Sequence, residues 1–193
     1  AILAYDIARA NGKKLPFDLM QELALVATTM DSIMAQKEIF EELADKFLKE
    51  SRNAFFLGRG LDSYVGLEGA LKLKEITYIH AEAYAAGELK HGPIALIDQG
   101  TPVVAVMPAA HSLLNEKMAS NVQEVKARGA IVIAIGDTDL SSATHNIRIP
   151  HTHEFLQPVL AVVPLQVIAY EMAIARGNDV DQPRNLAKSV TVE

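Results

Sequence analysis

The amino-acid sequence predicts an α/β fold, in which a doubly wound parallel sheet is flanked by helices. From Asn53 onward, short apolar runs alternate with longer stretches of helical periodicity, which is the pattern of βαβ units. The apolar runs are continuous, which indicates strands that are buried on both faces. Ligand sites in such sheets lie at the carboxyl ends of the strands, so we expect a site at that edge.

The composition favours a single compact domain. The chain has 193 residues, and 50% of them are hydrophobic, which is enough for one core. A net charge of -6, without a basic cluster, argues against nucleic acid or an anionic membrane surface as a partner. The longest apolar runs are about seven residues, against the roughly 20 needed to cross a bilayer, so we expect no membrane span.

Cysteine is absent from the sequence. This excludes disulfides, thiolate metal sites and thiol nucleophiles. The first residues lack the basic, apolar and small-residue pattern of a signal peptide. Together these features lead us to expect a soluble, cytoplasmic protein.

Residues 1–50 are predicted to form a helical lead-in. A first helix over residues 1–10 ends at Asn11-Gly12, and nothing in the sequence caps its start. Apolar residues spaced three and four apart then predict two amphipathic helices, at 15–35 and 36–49. The uncapped start favours a chain that continues from a preceding subdomain.

Residues 51–177 are predicted to form the α/β domain. The predicted strands are 54–57, 103–107, 130–135 and 147–149, and the predicted helices are 63–76, 112–127 and 155–175. Residues 178–193 lack a core-forming period, and composition alone predicts that they form a disordered tail.

Three separated motifs follow one another along the chain. They are Glu68-Gly69-Ala70-Leu71-Lys72-Leu73-Lys74-Glu75, Gly87-Glu88-Leu89-Lys90-His91-Gly92-Pro93 and Pro183-Arg184-Asn185-Leu186-Ala187-Lys188-Ser189. In this order they resemble the glucosamine-6-phosphate synthase family, also called glutamine:fructose-6-phosphate amidotransferase, and the resemblance runs from about Asn53 to Glu193. It implies a flavodoxin-like sugar isomerase fold that converts fructose 6-phosphate towards glucosamine 6-phosphate, with no cofactor and no metal.

The resemblance also implies that parts of the family's longer chain are missing here. The family's glutaminase domain uses a cysteine nucleophile, and this sequence has none. The family's isomerase region has two related subdomains, and the Ser/Thr loop that grips the substrate phosphate belongs to the first. Because this sequence holds no Ser-x-Ser-Gly loop, we expect the second subdomain alone, whose missing partners are the first subdomain and the glutaminase domain. Losing a phosphate anchor typically lowers turnover, so we expect weak or no activity from the fragment.

Lys72 and Glu75 lie three residues apart on one predicted helix, so their side chains project from the same face. Taken alone, this spacing most often indicates a surface ion pair. The helix follows the first predicted strand, and we expect its far end to reach the cleft at the carboxyl edge of the sheet. The resemblance implies that Glu75 moves a proton between adjacent carbons of the open-chain sugar, while Lys72 assists at a hydroxyl.

His91 precedes Gly92-Pro93, which force a loop. A loop histidine bonded to nearby backbone is the ordinary interpretation of this pattern. The resemblance implies instead that His91 helps to open the sugar ring, because imidazole can both give and take a proton near neutral pH. In the family the matching histidine acts from the neighbouring subunit, so we expect a homodimer.

Lys188 lies in the polar tail, where a lysine is ordinarily solvated. The resemblance implies that its amine attacks the ketone of fructose 6-phosphate to form a Schiff base, and that the backbone beside Ala187 contacts the sugar. The amine must be neutral to attack, so the tail would fold over a partly dry pocket. This expectation opposes the disorder that composition predicts.

Two weaker patterns have ordinary interpretations. His151 and His153 alternate next to Glu154, as zinc ligands do on an extended strand, yet no second ligand cluster supports a metal site. The Gly58-Arg59-Gly60 turn between a strand and a helix, with Ser63 nearby, has the form of an anion cradle. Two other functions stay open: a sugar-phosphate-binding or dimerisation module without turnover, and a fructosamine-phosphate deglycase.

Overall fold

The structure is a computed structural model that describes residues 2–13, 17–107 and 113–186. Within these ranges, six α-helices and five strands follow one another along the chain. They are α1 (Ile2–Ala10), α2 (Leu19–Met34), α3 (Lys37–Leu43), β1 (Asn53–Gly58), α4 (Leu61–Thr77), β2 (His80–Ala85), β3 (Pro102–Val106), α5 (Leu113–Lys126), β4 (Ile131–Gly136), β5 (His145–Arg148) and α6 (Gln157–Ala175). A π-helical turn, Ala44–Leu48, extends α3, and two 3-10 turns, Leu89–His91 and Pro93–Leu96, follow β2.

All five strands belong to one parallel sheet, in the order β2-β1-β3-β4-β5. The chain first winds from β1 to β2, and then returns past β1 to build the other side of the sheet. This is the flavodoxin-like strand order, whose direction reverses between β1 and β3. The predicted doubly wound parallel sheet is therefore confirmed.

Strand β2 is not predicted by the sequence pattern. It lies at the edge of the sheet, and Ala81 is its one fully buried residue, so it shows no continuous apolar run. The other four strands begin and end within two residues of their predicted bounds. Burial on both faces gives the inner strands a clear sequence pattern, and the half-exposed edge strand lacks it.

The sheet is covered on both faces, and alternate residues of each inner strand enter different cores. Phe56 of β1 packs in a core formed with α2, α3, α4 and α6, whereas its neighbour Phe55 packs with α5 on the opposite face. Successive side chains of a strand point to opposite faces, which explains this division. The described part of the chain thus forms three layers.

Helix α6 is the central helix of the larger core. By length and composition it would suffice to cross a membrane, with a mean hydropathy of 1.7, and 56% of its apolar window is buried inside the protein. It contacts α2, α3 and α4, and its buried residues include Glu171. These contacts identify α6 as a core helix.

Gly69 sets the close approach of α4 to α6 and to the sheet. A Cβ atom at this position would lie 2.8 Å from Cδ1 of Leu165 and 2.9 Å from Cε1 of Phe56. Both neighbours are buried and have little room to move. A glycine within the first sequence motif therefore lets the helix that carries Lys72 and Glu75 pack tightly on the core.

Candidate functional site

Lys72 and Glu75 lie near the amino ends of the strands, and the expectation that they reach the carboxyl edge is wrong. Helix α4 leaves the carboxyl end of β1 at Gly58 and must return the chain to the amino end of β2 at His80. A crossover helix between parallel strands runs antiparallel to them, so its last turn lies at their amino ends. Glu75 stands in that last turn.

The two side chains form an ion pair. Nζ of Lys72 donates to Oε2 of Glu75 at 2.7 Å, and Oε1 of Glu68 lies 3.8 Å from the same nitrogen. The hydrogen bond to Glu75 raises the pKa of Lys72. About a third of each paired side chain is exposed, with 32% for Lys72 and 29% for Glu75. The carboxylate is therefore held in place while it stays open to a ligand from solvent.

A groove of 710 Å³ lies beside Glu75. Its walls are the end of α4, at Glu75 and Ile76, and the segment 180–183 together with Leu186. A second groove, of 540 Å³, shares Glu75 and Leu186 with the first and is also lined by Tyr78 and Arg184. The carboxy-terminal segment thus runs between two grooves that meet at Glu75.

Residues 178–186 are attached to the end of α4 instead of forming the detached tail that composition predicts. The side-chain amide of Asn178 donates to the carbonyl of Ile76 at 3.0 Å. The backbone N–H of Arg184 donates to the hydroxyl of Tyr78 at 3.0 Å, and the Arg184 guanidinium lies 4.0 Å from the centre of the Tyr78 ring.

The segment between these two contacts forms a turn. Oδ1 of Asp179 accepts hydrogen bonds from the backbone N–H groups of Asp181, at 2.9 Å, and of Gln182, at 3.0 Å. Such an Asx turn holds a polar segment without a hydrophobic core. Lys188 and Ala187, the residues predicted to form the Schiff base and to contact the sugar, lie outside the described residues.

His91 lies at the carboxyl ends of the strands, whereas Glu75 lies at their amino ends. It ends the 3-10 turn after β2, 71% of its side chain is exposed, and Nδ1 lies 2.9 Å from Oε2 of Glu88. The length of β2, about 17 Å for its six residues, separates the two edges. One chain therefore does not bring His91 and Glu75 together.

The Gly58-Arg59-Gly60 turn uses its polar groups within the chain. The Arg59 guanidinium donates twice to Oδ1 of Asn121, at 2.8 and 3.2 Å, and Oγ of Ser63 donates to the carbonyl of Gly60 at 2.7 Å. Asp62 is buried in the first turn of α4, and burial raises the pKa of its carboxyl to about 7. Above that pH, the negative charge of the carboxylate at this helix start disfavours a bound anion.

His151 and His153 contact different partners. Nδ1 of His151 lies 2.9 Å from Oδ2 of Asp137, whereas the His153 ring stacks on Phe17 at 3.9 Å between centroids. Both follow the end of β5, so they do not alternate along a strand. Over residues 2–13, 17–107 and 113–186, no group of three histidine, cysteine or acidic side chains is placed to hold a metal ion.

Tyr78, Asn178 and Arg184 are site residues that the sequence does not single out. Arg184 belongs to the third motif, but its residue type alone assigns it no partner. Tyr78 has a backbone φ of 62°, a left-handed conformation that costs an L-residue about 1–2 kcal/mol. No local pattern distinguishes this tyrosine from others, because its role depends on a residue 106 positions away.

Comparison with known proteins matches the chain to one domain family. The family model described as the SIS domain matches residues 47–176. A structure of the C-terminal domain of glucosamine-fructose-6-phosphate aminotransferase from Francisella tularensis matches with a TM-score of 0.77 and 39% identity, covering 84% of this chain and 46% of that chain. Glucosamine-6-phosphate deaminase from Thermotoga maritima matches with a TM-score of 0.71 and 26% identity, covering 96% of this chain and 52% of that chain.

Curated relatives carry the name glutamine--fructose-6-phosphate aminotransferase [isomerizing]. The protein of Shouchella clausii is 53% identical over 193 residues, and that of Bacillus thuringiensis subsp. konkukian is 54% identical over the same length. Each alignment covers 100% of this chain and 32% of the relative. The chain thus spans about a third of the length of these relatives.

Proposed function

We propose, since the chain belongs to the SIS domain family, that it is the carboxy-terminal half of the isomerase region of a glutamine–fructose-6-phosphate aminotransferase. Its substrate would be fructose 6-phosphate, and the complete protein would combine it with ammonia from glutamine to make glucosamine 6-phosphate. The ammonia would come from a glutaminase domain outside this chain, since the chain has no cysteine.

One observation carries this proposal: Glu75, paired with Lys72, lines a groove that the segment before Lys188 also lines. A base for proton transfer must lie within hydrogen-bond reach of the carbon acid, and an amine that forms a Schiff base must reach the same sugar. Lys188 is two residues beyond Leu186. Two residues of chain span at most about 7 Å, and this short reach supports a role for Lys188 at the groove.

Each predicted residue has a proposed step. The neutral amine of Lys188 attacks the ketone carbon of fructose 6-phosphate, and loss of water leaves a Schiff base. Glu75 then moves a proton between the adjacent carbons, while Lys72 assists at a hydroxyl. Backbone beside Ala187 contacts the sugar.

We propose that the active unit is a homodimer, in which His91 opens the sugar ring bound at the neighbouring subunit. The position of His91 supports this, because it is exposed and lies at the opposite end of the strands from the Glu75 of its own chain. A site that needs both residues requires a second copy to supply one of them.

The division into residues 1–50, 51–177 and 178–193 also remains a proposal. The SIS match over residues 47–176 supports the middle unit, and the Asn178 contact to α4 supports a separate role for the final segment.

The absence of cysteine supports a cytoplasmic location, because oxidising compartments favour disulfide-bonded proteins.

The test is to trap the Schiff base. The chain is incubated with fructose 6-phosphate and borohydride, and peptide mass spectrometry locates any reduced sugar adduct. We expect an adduct on Lys188 that is absent from Lys188→Arg. If the unmodified chain binds the sugar but gives no adduct, and joining it to the missing first subdomain changes nothing, a sugar-phosphate-binding module without turnover replaces the proposal.

A further inference from the structure

We propose that Tyr78, Asn178 and Arg184 form a tail clamp, which positions the carboxy-terminal segment across Glu75 so that the amine of Lys188 meets the bound sugar. The consequence for the amine rests on the proposed function. The clamp itself rests on contacts within the described residues. Tyr78, Asn178 and Arg184 act as positioning residues, because they hold the segment and do not act on the reacting atoms.

Two different contacts join Tyr78 to the same residue of the tail. The phenol oxygen accepts the backbone N–H of Arg184 at 3.0 Å, and the ring face receives the Arg184 guanidinium at 4.0 Å. A hydrogen bond fixes where the backbone lies, and a cation over an aromatic face fixes how the side chain is directed. Arg184 is therefore restrained in both position and orientation.

The conformation of Tyr78 serves this contact. Tyr78 is the C-cap of α4, and its backbone is left-handed, with a φ of 62°. Glycine or asparagine is the usual residue in this conformation, and a bulky aromatic residue there is uncommon. Such strain persists where surrounding contacts favour it, and here the Tyr78 side chain makes a hydrogen bond and a cation–π contact with Arg184.

Asn178 supplies the second point of attachment. The last four carbonyls of a helix have no partner within the helix, and the carbonyl of Ile76 is one of them in α4. The Asn178 amide donates to this carbonyl at 3.0 Å. The tail is thus held on both sides of the Asp179 turn, by two residues that lie within three positions of Glu75.

These anchors direct the chain along the groove. Leu186, two residues after Arg184, lines both grooves that meet at Glu75. A clamp at Arg184 leaves four residues up to Lys188, or at most about 14 Å of chain. Restricting the space available to an amine raises its effective concentration at the sugar, which accelerates attack without a new contact to substrate.

Tyr78→Asn is the variant that tests the clamp most directly. Asparagine adopts the left-handed conformation readily, so the helix end is kept, whereas the ring and the hydroxyl are lost. Tyr78→Phe removes the hydroxyl alone, and Arg184→Lys keeps the charge but loses the planar stacking group. Tyr64→Asn is the matched control, since Tyr64 lies in the first turn of the same helix, far from Glu75, and is 69% exposed.

Two measurements on the 193-residue chain test the clamp. Hydrogen exchange of the backbone amides of residues 181, 182 and 184–186 reports docking of the tail without any substrate. We expect exchange at least tenfold faster in Tyr78→Asn, a smaller increase in Tyr78→Phe and Arg184→Lys, and no change in Tyr64→Asn. Unchanged exchange in Tyr78→Asn overturns the clamp, whatever the second measurement gives.

The second measurement is the rate of borohydride-trapped adduct formation on Lys188 as fructose 6-phosphate is varied. We expect the maximal rate to fall at least tenfold in Tyr78→Asn, with the half-saturating sugar concentration little changed, because the clamp orders the amine and not the sugar. Faster exchange with an unchanged maximal rate overturns the positioning role. If the unmodified chain forms no adduct even when it is joined to the missing first subdomain, the proposed function fails, and amide exchange alone decides the clamp.

Discussion

Nζ of Lys72 lies 2.7 Å from Oε2 of Glu75, one turn apart on the last part of α4. The ammonium is held by the carboxylate that also faces the groove lined by residues 180–183 and Leu186. An ion pair at this position suits two interpretations, a stabilising surface contact and a pair of proton-transfer groups. The first predicts a loss of folding stability when the pair is broken, and the second predicts a loss of proton transfer, so experiments can distinguish them.

Removing the ammonium should leave the fold intact. We expect Lys72→Met to change the free energy of unfolding by less than about 1 kcal/mol, because a partly exposed ion pair contributes little. Urea unfolding of the two chains measures this difference. A loss of about 3 kcal/mol or more would identify the pair as a structural element.

Glu75→Gln should abolish proton transfer without preventing attack by the amine. Under the proposed function, we expect exchange of the sugar proton next to the carbonyl with deuterated water to slow by about 10²-fold or more. Proton nuclear magnetic resonance of fructose 6-phosphate follows this exchange directly. The Lys188 adduct should still form.

The matched control for Glu75→Gln is Glu68→Gln. Glu68 is also near Lys72, at 3.8 Å, but it does not line the 710 Å³ groove. We expect it to exchange the sugar proton at the rate of the unmodified chain. Equal rates in the two variants would remove Glu75 from the proton-transfer step.

Hybrid dimers should recover activity if His91 acts across the subunit interface. A dimer that combines one Glu75→Gln chain with one His91→Asn chain has one site in which both residues are intact. Statistical mixing of the two inactive variants should then restore about a quarter of the activity of the unmodified protein. Activity that stays absent after unfolding and joint refolding of the mixture would place both residues in one chain's site.

Gly69→Ala should destabilise the chain by about 1–3 kcal/mol, because the added methyl group overlaps Leu165 and Phe56 in a packed core. Gly66 on the same helix is the control. A Cβ there meets its nearest atom at 3.5 Å, an ordinary contact, so Gly66→Ala should be neutral or stabilising by about 0.5–1 kcal/mol. Urea unfolding of both variants compares them, and equal effects would exclude close packing at Gly69.

Stability should fall as pH rises through the titration of Asp62. Burial raises the pKa of this carboxyl from 3.8 to about 7, so the folded state holds a proton that the unfolded state has released between these values. The stabilisation is complete below pH 3.8 and is lost as pH rises through about 7. Keeping the carboxylate charged at higher pH costs on the order of 4 kcal/mol.

Asp62→Asn should remove this dependence, because the amide does not titrate. We expect the free energy of unfolding of the variant, measured against that of the unmodified chain, to be more favourable at pH 8 than at pH 5. Urea unfolding of both chains at both pH values measures this difference. A constant difference between the two chains across this range would show that Asp62 titrates normally.

The inner strands and the helices were predictable from sequence because their burial leaves a local pattern. Phe55 and Phe56 stand in a continuous apolar run, and α6 has an apolar stretch that only a core helix or a membrane span would need. The edge strand β2 left no such run, since Ala81 alone is fully buried there. The sequence pattern misses β2 because the strand is largely exposed, although its structure is regular.

The candidate site was predictable in part. Lys72 and Glu75 were paired by helical spacing alone, because residues three apart on a helix must share a face. Their position at the amino edge of the sheet was not predicted. That position depends on the direction of α4 between β1 and β2, and β2 carries too weak a pattern to reveal it.

The sequence by itself determined the alternation of strands and helices, the family and the pairing of Lys72 with Glu75. These features rest on local periodicity and on residues adjacent in the chain. Only the tertiary structure decided that Arg184 meets Tyr78, that Asn178 binds the end of α4, and that His91 lies far from Glu75 in one chain. Contacts between residues about 100 positions apart depend on how the sheet and its crossovers fold in space, which no local pattern encodes.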